Sequence, residues 1–81
     1  GSIGALQLLP NPAHDRITLT GTDLPLVRSW EVLDPRGAIL MSGAQRQGGI
    51  TIDVSMLSTG VYLLRTVTEN GTNRQFRWLK Q

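Results

Sequence analysis

The chain contains no cysteine. No disulfide can staple it and no thiolate metal site can form in it. That absence does not argue against export. No apolar run approaches the ~20 residues of a membrane-spanning helix, and no secretory leader is visible. If the native protein is exported, its leader lies upstream of this chain. Charge is sparse and mixed, with eight Lys/Arg against six Asp/Glu and a formal net charge of +2. The basic residues are scattered and do not interleave with aromatics, which argues against a nucleic-acid partner. Internal repeats, low-complexity tracts and linkers are missing, and helical periodicity is nearly absent.

Period-two alternation is what the chain has. Ile17 and Leu19 alternate with Arg16, Thr18 and Thr20. Trp30 and Val32 alternate with Ser29 and Glu31, and Ile50, Ile52 and Val54 with Thr51 and Asp53. Phe76 and Trp78 alternate with Gln75 and Arg77, while VYLLRTV (61–67) is apolar on both faces, as a central strand would be. Turn residues punctuate these runs. In LDPRGA (33–38), Asp34 can open a turn, Pro35 presets φ and Gly37 accepts a conformation closed to other residues. ENGT (69–72) sets Asn-Gly between two apolar runs, a strong hairpin signal, and QGG (47–49) opens another strand. The pattern predicts seven short strands, at about 6–9, 16–20, 27–34, 38–43, 49–54, 61–68 and 73–79. Strands of this number and spacing indicate a sandwich or a small barrel.

A chain of 81 residues makes one domain. It buries only roughly 60–65% of the surface its unfolded form exposes, so its core is marginal. Gly1-Ser2 reads as a tag scar, which leaves residues 3–81 as the domain. The stretch LLPNPAHDRI (8–17) holds a rigid corner. Pro10 and Pro12 keep Leu9 and Asn11 out of the helical region. Neither proline can donate to a ladder, so the corner belongs between strands or at a sheet edge. Its stiffness lowers the entropy of the unfolded chain.

Chemistry is hard to find. His14, the only histidine, stands beside Asp15 without a cysteine or a serine in nucleophile context, so an exposed turn residue is the better reading. Asp15, Asp34 and Asp53 lack the spacing of a calcium loop. Asn70-Gly71-Thr72 matches the glycosylation sequon, but its hairpin role comes first. Gly48-Gly49 precedes a strand rather than a helix, so it is no phosphate loop. Trp30, Tyr62, Phe76 and Trp78 are the only aromatic side chains, either a sugar-stacking platform or core. The residues together describe a small all-β module, not an enzyme, with no cofactor and no bound metal expected.

Four segments resemble, in order, the motifs of the C-terminal sorting domain of the type IX secretion system (Por secretion system, type A). LPNPA (9–13) with Asp15 and RITL is similar to the family's opening YPNPA and first strand, carried by Pro10, Asn11 and Pro12. VLDPRGAIL is similar to its strand–Asp–two residues–Gly–strand motif through Asp34 and Gly37. IDVSMLSTGVYLLR resembles its most recognisable stretch through Asp53, Leu57, Gly60, Val61 and Tyr62. FRWLKQ resembles its closing strand through Phe76, Trp78, Leu79 and Lys80. The chain departs from the pattern at Leu9, where the family has an aromatic residue, at the bulky Trp78, and at Gln81 after the final lysine.

The resemblance implies an all-β, Ig-like antiparallel sandwich of about seven short strands. It implies a non-catalytic address label at the end of a cargo protein. Such a label passes through the periplasm, with shuttle components, to an outer-membrane translocon. A sortase-like peptidase then removes it at the cell surface. Gly60 is expected at a φ that Cβ forbids, Leu57 as a plug under the sheet, Tyr62 packed with its hydroxyl bonded, and Gly37 closing a tight connection. Each motif position serves either the fold or direct reading by the machinery. The strand at 74–80 and its basic tip are expected to carry recognition through strand addition. The same edges make an edge-paired or strand-swapped dimer an expected hazard. The rival reading is an Ig-like or fibronectin-like accessory module, a spacer or a carbohydrate binder. Sugar binding would require Trp30 or Trp78 exposed.

Overall fold

The computed structural model describes residues 6–44 and 49–81. Gly1-Ser2 and the first two residues of the QGG turn lie outside them. Seven strands form: β1 (Gln7–Leu9), β2 (Arg16–Thr20), β3 (Val27–Leu33), β4 (Ile39–Ala44), β5 (Ile50–Asp53), β6 (Gly60–Thr68) and β7 (Asn73–Lys80). All seven predicted strands are present, with ends shifted by a residue or so. A 3-10 turn at Leu24–Leu26, with Pro25 in its first positions, was not legible in the alternation.

The strands make two antiparallel sheets, β1-β2-β5 and β4-β3-β6-β7, facing each other as a sandwich. Register explains the core. In the smaller sheet Leu8 opposes Leu19, Leu19 opposes Ile50 and Ile17 opposes Ile52, so the apolar alternates share one face. Their neighbours Thr18 and Thr51 meet on the outer face, hydroxyl to hydroxyl at 3.3 Å. In the larger sheet, Met41, Val32, Leu64 and Phe76 form one inward row across all four strands. Tyr62, Leu64 and Thr66 are therefore the core face of β6, a choice the doubly apolar run left open. The buried cluster joins both sheets through Ile17, Leu19, Ile50, Ile52, Val32, Leu64 and Trp78.

On the outer face of the larger sheet, Arg65 and Glu31 stand opposite each other on β6 and β3 and form an ion pair, with the Arg65 Nε donating at 2.8 Å. Trp30 lies over Gly43 of β4, its cross-strand partner; a Cβ at Gly43 would meet the indole ring at 2.5 Å. The core keeps one polar misfit on β6: Thr66 is fully buried and its hydroxyl has no partner among the described residues. A buried hydroxyl without a partner costs about 1–3 kcal/mol. Thr66→Val keeps the shape and removes that penalty. It is expected to raise the thermal midpoint by several degrees, at about 4–8 °C per kcal/mol for a domain of this size. A lower midpoint in a denaturation scan would show that the hydroxyl has a partner after all.

Candidate functional site

The PNPA corner lies between β1 and β2, as its two prolines require, and both of its X-Pro bonds, Leu9-Pro10 and Asn11-Pro12, are cis. It also runs along the open edge of β7. The Asn11 side chain acts there as a fragment of strand. Its Oδ1 accepts from the Leu79 N–H at 3.0 Å, and its Nδ2 donates to the Arg77 carbonyl at 3.4 Å. Ala13 continues the ladder in the parallel sense: its N–H donates to the Leu79 carbonyl at 2.7 Å, and its carbonyl accepts from the Gln81 N–H at 2.8 Å. Ala13 itself is fully buried. The first motif of the chain thus closes onto the last.

The corner therefore occupies part of the β7 edge on which strand addition was expected. Backbone groups of alternate residues point away from β6. Both groups of Leu79, the Gln81 N–H and the Arg77 carbonyl are already used by residues 11–13. An incoming strand meets an open edge only around Gln75, or must displace the corner. The basic tip is occupied as well. Lys80 is only 8% exposed, on the inward face, with its Nζ donating to the Gln81 carbonyl at 3.1 Å. Trp78 is 1% exposed and stacks on Tyr62 at 5.2 Å between ring centroids. Both side chains are spent on the interior of the domain.

The other motif residues sit at turns. Asp34 caps the β3–β4 connection: its Oδ1 accepts from the N–H groups of Arg36 and Ala38, both at 2.9 Å. Gly37 has φ +92°, and its N–H donates to the Asp34 carbonyl at 2.9 Å. Gly60 has φ +156° at the start of β6, a conformation side chains rarely adopt. Leu57 is half-buried against the core, and the Tyr62 hydroxyl donates to the Ser58 carbonyl at 2.6 Å. In Leu57-x-x-Gly60-x-Tyr62, then, the leucine anchors the turn, the glycine turns it and the tyrosine ties it back. Pro10, Asn11, Pro12 and Gly37 are exposed, while Asp34, Leu57, Gly60, Tyr62, Phe76 and Leu79 are half-buried. His14 is exposed beside the corner, and the Asn70 amide oxygen is taken up by the Thr72 N–H inside the β6–β7 hairpin.

The two aspartates at turns carry a pH dependence. The Ala38 N–H, helped by the N–H and guanidinium of Arg36, holds the Asp34 carboxyl below its ordinary value of 3.8 despite partial burial. The Ser55 side chain and N–H, with the Arg16 charge, do the same for Asp53. A carboxyl lowered in the folded state stabilises above its unfolded pKa, and that contribution is lost as pH falls through the folded value. Thermal stability is therefore expected to fall as the pH drops below about 4, and Asp34→Asn to flatten that fall. An unchanged midpoint-versus-pH slope in the variant would contradict the assignment.

The aromatic platform does not form. Trp78 is inside, Tyr62 is stacked on it, Phe76 packs against the core and Trp30 covers Gly43. Among the described residues no group of three or more metal-ligating side chains converges, and no helix is long and apolar enough to cross a membrane.

These features define a class first: an Ig-like sandwich with its opening corner clamped to its last strand. The crystal structure of CopC from Methylosinus trichosporium OB3b superposes with a TM-score of 0.52 at 18% identity, covering 94% of this chain and 91% of that one. At that identity the likeness is one of fold alone. No curated protein matches the chain. The family model of the secretion system C-terminal sorting domain matches residues 7–78. The chain belongs to that family, the sorting signals of the type IX secretion system. Membership implies dealings with the secretion machinery, a cargo upstream, and export to the cell surface or beyond.

Proposed function

We propose that residues 3–81 form a single non-catalytic module that delivers an upstream cargo through the periplasm to the outer-membrane translocon. A sortase-like peptidase then removes the module at the surface. The observation that carries this reading is the family match over residues 7–78. The closure of Asn11 and Ala13 onto β7 supports it, because the first and last motifs then form one continuous surface. Direct reading falls to the exposed Pro10, Asn11, Pro12 and Gly37 and, among the half-buried motif residues, to Asp34 and Leu79. The remainder, with Trp78 and Lys80 foremost, act by building the module.

The test is a fusion of residues 4–81 behind a periplasm-targeted fluorescent reporter, in cells with and without a working type IX system. Fluorescence at the surface or in the medium of competent cells alone is the expected result. Retention in the periplasm of both strains, with the domain folded, would overturn the reading and favour an accessory module of an extracellular protein.

A further inference from the structure

The sandwich has four edge strands, and all but one are protected against pairing with another chain. β1 has three residues and runs directly into Pro10. β5 has four and ends at Asp53. β7 carries Arg74, Arg77 and Lys80, and half its edge is closed by residues 11–13. Short length, proline, charge and coverage are the devices that keep sheet edges apart. β4 has none of them. Its sequence ILMSGA holds no charge and no proline over six residues, and it has a neighbour on one side only. Ile39 and Leu40 are 53% and 44% exposed.

We propose that two copies of this chain pair along β4, antiparallel, about a two-fold axis normal to the sheet. Such an axis leaves every side chain on its own face, so one residue must stand opposite its own copy. Centring on Ser42 sets Met41 against Gly43 and Leu40 against Ala44, large against small in both pairs. The exposed Ser42 at the axis lets the backbones approach, and its side chain is too small to obstruct them. The Met41 thioether arrives over Gly43 of the other copy, where that copy's Trp30 ring lies, a favourable sulfur–aromatic contact. This register also keeps the central pairs clear of the irregularity next to Leu33, where Leu40 is the extra residue of β4. Like charges never face each other across the seam. Two four-stranded sheets become one continuous sheet of eight.

A six-residue edge falls short of the ~1,200–2,000 Å² of a stable interface, so the dimer is a concentration-dependent one. Sedimentation of the 81-residue chain is expected to show its mass rising from one chain toward two with concentration. Ser42→Lys sets two ammonium groups face to face; it should abolish that rise while leaving the thermal midpoint unchanged. Cross-linking locates the seam, because the chain has no cysteine of its own. Directly opposed residues of an antiparallel pair have Cα atoms about 4.5–5.5 Å apart, within disulfide range. Ser42→Cys is expected to oxidise to a covalent dimer in high yield, and Gln75→Cys on the β7 edge is not. A mass independent of concentration, a dimer that survives Ser42→Lys, or preferential cross-linking at position 75 would each overturn the proposal.

Discussion

Trp78→Ala is expected to unfold the domain at ordinary temperatures. Trp78 is the largest fully buried side chain, and it joins β7 to the core of both sheets. Truncating a buried tryptophan to alanine costs about 3–5 kcal/mol, through lost transfer energy and the cavity left behind. Small domains have about 5–15 kcal/mol in all, and a chain of 81 residues sits at the low end of that range. The stacking of Tyr62 on Trp78 adds to the loss, because Tyr62 is left with one face against a void. Trp78→Phe retains most of the volume and an aromatic face for Tyr62. It also removes the indole N–H, which has no partner among the described residues. It should lose far less. Thermal denaturation of the two variants checks this: a folded, cooperative Trp78→Ala domain with a midpoint near the parent's would show that the site collapses around the missing ring.

The same reasoning governs the reading of deletions. Removing residues 76–81 takes away Trp78 together with the partners of Asn11 and Ala13, so loss of sorting in that deletion reports unfolding as readily as recognition. Exposed positions separate the two. Arg77 is exposed, its side chain forms no ion pair among the described residues, and its backbone carbonyl is the partner of Asn11. A substitution of its side chain leaves the fold alone and tests the surface.

Most of the sandwich was legible because the alternation is nearly unbroken. Ile17, Leu19, Ile50 and Ile52 face the core as their spacing requires, and Asp34, Gly37, Asn70 and Gly71 mark turns with residues whose chemistry is local. The face of β6 was not legible, since Leu63 and Leu64 are both apolar. Only pairing with Val32 and Phe76 makes Leu64 the inward one. The inward Lys80 breaks the rule that charge faces water, and its burial follows from strand parity: Phe76, Trp78 and Lys80 share one side of β7. The clamp was the least accessible feature. Asn11 and Leu79 are 68 positions apart, and nothing in PNPA distinguishes an asparagine that ends a turn from one that reads another strand's backbone. Within the site, the sequence could point to the motifs but not to their meeting.

Asn11→Ala is expected to loosen the end of β7 while leaving the rest of the sandwich intact. The substitution deletes both side-chain bonds, to the Leu79 N–H and to the Arg77 carbonyl, and spares the two backbone bonds of Ala13. The site is exposed, so water takes over the freed groups, and each bond contributes only about 0.5–1.5 kcal/mol. Two together come to roughly the 1.4 kcal/mol that changes an equilibrium tenfold. Hydrogen exchange at the Leu79 amide should therefore accelerate by about an order of magnitude. Amides of the interior strands β2 and β3, which reach solvent only by wider opening, should change much less. Asn11→Asp keeps an acceptor for Leu79 but has no N–H for Arg77, and should fall between the two. An acceleration equal at all amides would mean that the corner supports the whole fold. None at Leu79 would mean that Ala13 holds the strand without help. The expected pattern, a freed end on an otherwise closed sandwich, also yields the variant needed in the export assay. Its fold is intact, Trp78 is still buried, and only the junction of the first and last motifs has been opened.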